Sequence, residues 1–213
     1  MKHLLQILLI TIIPWGSINA FEYKDADLIF QVSGHSPYSE AITSATGSPD
    51  SLSYVHVGII HLCPDGSLNV IEASPEMGVR ELPLEAFLSE SIKINGKPGV
   101  VIKRIKEDIP VSDIIRRAQS FVGQPYDWYY LPNNEMLYCS ELIYESYLDE
   151  NGEHIFTANP MNFRAPDGSM PEFWINLYQK LGIDVPEGIP GTNPNDISRD
   201  PQLIEVYRFF RLL

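Results

Sequence analysis

Cysteine is almost absent from this sequence: Cys63 and Cys139 are the only two in 213 residues. So small a number excludes a disulfide-stapled scaffold and the paired CxxC motifs of structural zinc sites. HExxH, a calcium-loop pattern, a glycine-rich phosphate loop and a GxSxG serine elbow are missing too. Beyond the N-terminus the histidines, His35, His56, His61 and His154, are scattered. His56 and His61 are five residues apart in one strand-like run, and an odd spacing sends their side chains to opposite faces, so they do not chelate one ion. No metal site and no cofactor is expected. Basic residues are few, 15 Lys and Arg against 28 Asp and Glu, for a formal net charge of −13. Nucleic acid is therefore not an expected partner, because phosphate binding is driven by clustered Lys and Arg.

Long hydrophobic runs are also missing. The first twenty residues, MKHLLQILLITIIPWGSINA, carry one lysine ahead of an apolar run from Leu4 to Ile13, then Pro14, Gly16 and a small residue at Ala20. The run is well short of the ~20 residues that span a bilayer, so it reads as a signal peptide (1–20) rather than a membrane anchor. Export to the periplasm or the extracellular space follows as an expectation. Residues 21–213 fit one domain with a single core.

Helix and strand signals are mixed along that domain without regular βαβ alternation, which predicts an α+β fold. DLIFQV (27–32), YVHVGIIHL (54–62), LNVIEAS (68–74), GVVIKRI (99–105) and LIEVYRFF (203–210) read as strands. Ser36 and Pro37 open a helix that Gly47 stops. VSDIIRRAQSFVG predicts an amphipathic helix with Ser112 as cap and Ile114, Ile115, Ala118, Phe121 and Val122 as its apolar stripe. Cys139 opens a helix to about Leu148, and PEFWINLYQKLG (171–182) forms another. VPEGIPGTNPNDISRDP reads as a Pro/Gly/Asn-rich connection to the last strand.

With metal, phosphate and serine chemistry set aside, thiol chemistry remains, and it needs a thiolate, a base and a group to hold the base. A sulfur at a helix N-terminus sits near unsatisfied N–H groups and the positive end of the helix dipole. Both favour a thiolate, and the same N–H groups can stabilise an oxyanion. Cys139 has that position; the alternative is a small buried hydrophobe. His56 is the best-placed base, inside a rigid strand with Gly58 leaving room beside it on the same face. The alternative is a satisfied core histidine.

The hairpin after His56 adds a third residue. Pro64, Asp65 and Gly66 suit a three-residue loop with Gly66 in the left-handed position. That register pairs Cys63 with Ser67, Gly58 with Glu72 and His56 with Ser74. Glu72 then shares a face with His56 on the diagonal, where a long side chain reaches an imidazole. The alternative is an exposed strand carboxylate. A disulfide is incompatible with this arrangement: Cys63 lies on the order of 20 Å along the strand from His56, whereas bridged α-carbons lie within roughly 7 Å. Either Cys139 works with His56, or it is bridged to Cys63 in a non-catalytic binding module.

GQPYDWYYLPNNEMLYCSELIYESY resembles the NlpC-type cysteine peptidase signature, in which a glycine, proline and tyrosine precede a cysteine opening a helix. Here the histidine strand YVHVGII comes before the cysteine. That order, with DLIFQ, VIEAS and NPNDISRDPQL, resembles the circularly permuted papain-like hydrolases of the YaeF/YiiX type, over about Asp27 to Val206. The resemblance implies Cys139 as nucleophile, His56 as base, Glu72 as the polar third member and Tyr126 beside the oxyanion hole. It also implies a small papain-like fold, with the cysteine helix packed on an antiparallel sheet. The expected activity is an exported amidase or peptidase working through a thioester, with cell-wall peptide as the natural substrate. The related permuted branch contains lipid acyltransferases, so a lipid or acyl-group hydrolase or transferase, recognisable by an apolar pocket beside Cys139, is the alternative.

Overall fold

Six antiparallel strands pair into one sheet, and their register decides which face each side chain reaches. The computed structural model describes residues 21–48 and 52–212; the leader read in residues 1–20 lies outside the described residues. In chain order the principal elements are β1 (Leu28–Val32), α1 (Pro37–Thr46), β2 (Tyr54–Leu62), β3 (Leu68–Ser74), β4 (Gly78–Pro83), α2 (Leu84–Glu90), β5 (Val100–Ile105), α3 (Val111–Ser120), α4 (Cys139–Ser146), α5 (Glu172–Leu181), α6 (Pro194–Arg199) and β6 (Leu203–Arg208). The sheet order is β6–β5–β1–β2–β3–β4. This is the expected α+β architecture, with the cysteine helix α4 packed against β2 and β3.

Period-two alternation divides the core between the two faces of the sheet. Leu28, Phe30, Val57, Ile59, Ile71 and Ala73 lie in the larger cluster with Leu142 and Ile143 of α4 and Ile114 and Ala118 of α3. Ile29, Ile60, Val70, Leu82, Val100 and Ile102 pack with Phe87 of α2 in a second, smaller cluster. Burying each of the larger aliphatic side chains contributes about 1.5–3 kcal/mol. Tyr147, just past α4, is fully buried and donates its hydroxyl to the Ala26 carbonyl at 2.9 Å, which ties the back of the cysteine helix to the sheet.

The β2–β3 hairpin has the register expected from its turn. Ile59 pairs with Ile71 and His61 with Asn69, the Cys63 N–H donates to the Ser67 carbonyl at 2.9 Å, and Gly66 has φ +86°. Three local expectations are corrected. α3 starts at Val111 after Pro110 instead of being capped by Ser112, and it ends at Ser120, leaving Val122 45% exposed instead of in the apolar stripe. α4 stops at Ser146 because Tyr147 leaves helical backbone (φ −92°, ψ 79°). The connection before the last strand contains α6, whose cap is Asn193, accepting from the Asp196 N–H at 2.8 Å, with Pro194 at its first turn. Asn195 on α6 is fully buried and bonds both the N–H and the carbonyl of Tyr54, so this helix anchors the start of β2.

Gly58 is required by contact as much as by openness. A Cβ built on it would lie 2.6 Å from Val70 Cγ1 and 3.2 Å from the Ile71 carbonyl oxygen. Gly58→Ala is therefore expected to destabilise the domain by about 1–3 kcal/mol through overpacking, read as a lower urea midpoint at unchanged m-value.

Candidate active site

Three adjacent strands place a line of charged groups on the face that also carries Phe87. His56 projects from β2 and Glu72 from β3, and His56 Nε2 and Glu72 Oε2 are hydrogen-bonded. The other Glu72 oxygen accepts from Arg80 Nε at 2.7 Å, Arg80 being its direct cross-strand partner on β4. Arg80 continues to the Glu90 carboxylate at 2.8 Å. The Glu72 side chain is only 2% exposed, so its charge depends on having both partners. The Phe87 ring lies against the imidazole, with centroids 5.8 Å apart.

These neighbours set the protonation of His56. Burial by itself lowers its pKa, but the Glu72 carboxylate and the adjacent Cys139 side chain outweigh that and push it up to about 10. Burial tends to raise the Glu72 pKa, whereas the imidazolium and Arg80 hold it below the usual carboxylate range. Glu72 engages Nε2, which leaves Nδ1 as the free ring nitrogen, and Cys139 is near enough to contribute to the rise of the His56 pKa.

Cys139 is the first residue of α4 and 3% exposed. Tyr138 before it has extended backbone and provides no side-chain cap, so the first-turn N–H groups stay available at the thiol. Glu141 sits at the third helical position with its carboxyl near the Tyr138 N–H, and its Oε2 is buried without a hydrogen-bond partner. Burial, and then the nearby Asp127 carboxylate, push the Glu141 pKa up to about 8. At neutral pH it is largely the uncharged acid, and little negative charge opposes a thiolate one turn away.

The approach to Cys139 is pinned to the edge strand. Gly78 (φ +71°) lies so close to the following loop that a Cβ would meet the Gln124 carbonyl oxygen at 2.3 Å. The Val79 N–H donates to that carbonyl, and the Gly123 N–H to the Val79 carbonyl, both at 2.8 Å. Next in the chain, Tyr126 pairs with Leu137 in a parallel bridge, two residues before the cysteine. Thus β4 holds Tyr126, and the Tyr126 segment holds Cys139.

Tyr126 is buried and shares a pocket with Cys139. Its hydroxyl is 2.8 Å from that of Tyr38, which lies 3.1 Å from the Tyr130 hydroxyl. Burial, then the neighbouring phenols and Cys139, hold the Tyr126 pKa well above its ordinary value, so it stays a neutral donor. Sequence reasoning missed Tyr38, Tyr130 and Arg80. Tyr38 opens α1, and Tyr130 sits at φ +54°, unusual for an aromatic residue and a sign of imposed strain.

Two different spaces meet at this point. Beside Cys139 is a small apolar pocket of about 50 Å³, walled by Ile42, Tyr130, Met161, Phe163 and Trp174 among others. On the His56 side is a polar groove with Glu72, Ser74, Glu76, Arg80 and Glu90. Tyr38 borders both. Cys63 takes no part: both cysteines are free thiols, and the Cys63 sulfur sits against His61 and Glu81.

Comparison with known proteins adds three findings. A family model described as "Permuted papain-like amidase enzyme, YaeF/YiiX, C92 family" matches residues 22–207. The uncharacterised protein YiiX of Escherichia coli strain K12 is 26% identical over 211 residues, 97% of this chain and 96% of that protein. A crystal structure described as metalloprotein yiiX from Escherichia coli O157:H7 superposes with a TM-score of 0.69 at 25% identity, covering 88% of this chain and 98% of that one.

Two measurements check the electrostatics. Because the folded His56 pKa is raised, its stabilising contribution is complete below the unfolded value of about 6.5 and is lost as pH rises through about 10. NMR of the imidazole is expected to show that titration, and Glu72→Gln to move it toward the ordinary histidine range. Glu141 carries a raised carboxyl pKa, so it removes stability as pH rises from the ordinary carboxylate range through about 8. Glu141→Gln should flatten that part of a melting-temperature profile.

Proposed function

The chain belongs to the permuted papain-like amidases of the YaeF/YiiX type, and from that membership we propose an exported cysteine amidase with Cys139, His56 and Glu72 as its triad. One observation carries the reading most: a histidine charged by a buried carboxylate, beside a thiol at an uncapped helix N-terminus. Export is read from the sequence of residues 1–20.

The reaction follows from the atoms available. The Cys139 proton is held on His56 Nδ1 as the imidazolium, and the sulfur attacks the amide carbon, forming a C–S bond while the carbonyl electrons move onto oxygen. The Cys139 N–H and the Tyr126 hydroxyl stabilise that oxyanion. Collapse breaks the C–N bond as the imidazolium delivers its proton to the departing amine, leaving a thioester. His56 then deprotonates a water, which attacks the same carbon and breaks the C–S bond to release the acid. Glu72 stabilises the imidazolium at each stage, and Arg80 keeps Glu72 in place. No step is assigned to a cofactor, and none to a metal, although the solved relative is described as a metalloprotein.

The apolar pocket bears on the substrate. Its aromatic and aliphatic walls beside Cys139 suit a hydrocarbon acyl group better than a cell-wall peptide, with the amine or alcohol portion in the polar groove. This favours acyl amides, and lipid-like esters or acyl transfer as the second reading.

A panel of acyl amides of increasing chain length, lipid esters and peptidoglycan fragments tests the proposal. Turnover is expected to be highest with short acyl groups that fit the small pocket and to vanish in Cys139→Ala; activity surviving that substitution would overturn the mechanism. Tyr126→Phe should lower kcat by about 10²–10³-fold, the usual effect of losing one oxyanion donor, with little change in melting temperature.

A further inference from the structure

The opposite face of the same hairpin carries a second histidine–carboxylate pair, and this one includes a thiol. His61 and Cys63, two residues apart at the end of β2, point to the face away from His56. Glu81 of β4 meets them there. His61 Nδ1 lies 2.8 Å from Glu81 Oε1. The Cys63 sulfur is 4.0 Å from that nitrogen and 3.9 Å from that oxygen. Among the described residues these three donor atoms converge within 4.8 Å. We infer that His61, Cys63 and Glu81 form a binding site for a zinc-class divalent cation, separate from the catalytic residues.

The dimensions suit such an ion. Zinc bonds of about 2.0 Å to nitrogen and oxygen and about 2.3 Å to sulfur give tetrahedral donor–donor edges of roughly 3.3–3.5 Å. The observed separations bracket those edges. The ion takes the place of the proton shared by His61 and Glu81, the carboxylate gives way slightly and the thiolate moves in by about half an ångström. A thiolate with an imidazole selects zinc-class ions over magnesium or calcium, which prefer oxygen alone.

The surroundings are consistent with the same use. Asn69 on β3 donates to Glu81 Oε1 at 2.9 Å, the kind of outer hydrogen bond that orients a ligating carboxylate. Gln119 at the end of α3 places its Nε2 3.3 Å from Glu81 Oε2 and 3.4 Å from His61 Nδ1. Turned over, its amide offers an oxygen as fourth ligand; water is the alternative. His61 and Glu81 are both partly open to solvent, so an ion enters without rearrangement of the fold. The site joins β2 directly to β4 across β3, and its ligand Glu81 adjoins Arg80, which holds Glu72 on the other face.

Cobalt(II) is the probe. The full-length protein, reduced and stripped with chelator, is titrated with cobalt(II) and followed by absorbance. A thiolate-to-cobalt charge-transfer band is expected in the wild type and in Cys139→Ala, and not in Cys63→Ser. His61→Ala and Glu81→Gln should each weaken binding about tenfold or more. Zinc should abolish the band by displacement and raise the melting temperature of the wild type, not that of Cys63→Ser. Metal-free melting of each variant checks that it folds. No band in the wild type, a band persisting in Cys63→Ser, or one lost in Cys139→Ala each overturns the assignment. None of these readouts depends on the amidase reading.

Discussion

The register of the β2–β3 hairpin is the constraint on which the rest depends. With Gly66 in the left-handed conformation, the turn closes so that Ile59 faces Ile71 and Gly58 lies against Glu72. His56 and Glu72 then share one face, and Arg80, the cross-strand partner of Glu72, arrives on that face without any further requirement. A slip of one residue would send Glu72 to the side packed under α4 and Ile71 away from it, so that a carboxylate would be buried beside Ile59 and Leu142. The apolar residues of both faces thus enforce the register that the charged residues use.

Strand alternation also keeps two chemistries apart on one piece of backbone. On β2, His56 faces the groove and His61 the side of α3, each hydrogen-bonded to a carboxylate from another strand. Cys139 is brought near the first pair by α4, from outside the sheet. Its position is transmitted through backbone: Gly78 admits the Gln124 loop, the loop fixes Tyr126, and Tyr126 pairs beside Leu137.

Local signals carried much of this into the sequence. The hairpin turn, the strand around His56 and the apolar side of α4 are short-range patterns, so the fold class and the His56–Glu72 diagonal were legible. The family motifs pointed to Tyr126. Less legible were contacts that join distant segments. Tyr38 and Tyr130 meet Tyr126 from different elements, and neither position has a periodicity that marks it. Arg80 was not legible, since its partner depends on the β3–β4 register as well as the β2–β3 one. The cap of α6 was different: Asn193 followed by Pro194 is a helix-start signal, obscured by the Pro/Gly/Asn-rich sequence around it. Cys63 was judged solely as a disulfide candidate, because Glu81 becomes its neighbour only when β4 is laid beside β3.

The Gly78–Gln124 contact has a further effect, on the way the sheet meets other chains. β4 is an edge strand, and its outward backbone groups at Val79 are taken by the protein's own Gln124 and Gly123. An extended peptide continuing the ladder would therefore find no free backbone groups at Val79. The opposite edge, β6, is irregular between Glu205 and Tyr207 and carries the Glu205–Arg208 ion pair, features that discourage strand addition. Recognition by this domain consequently falls to side chains and pocket shape, and a ligand need not be a peptide, or extended, to be held.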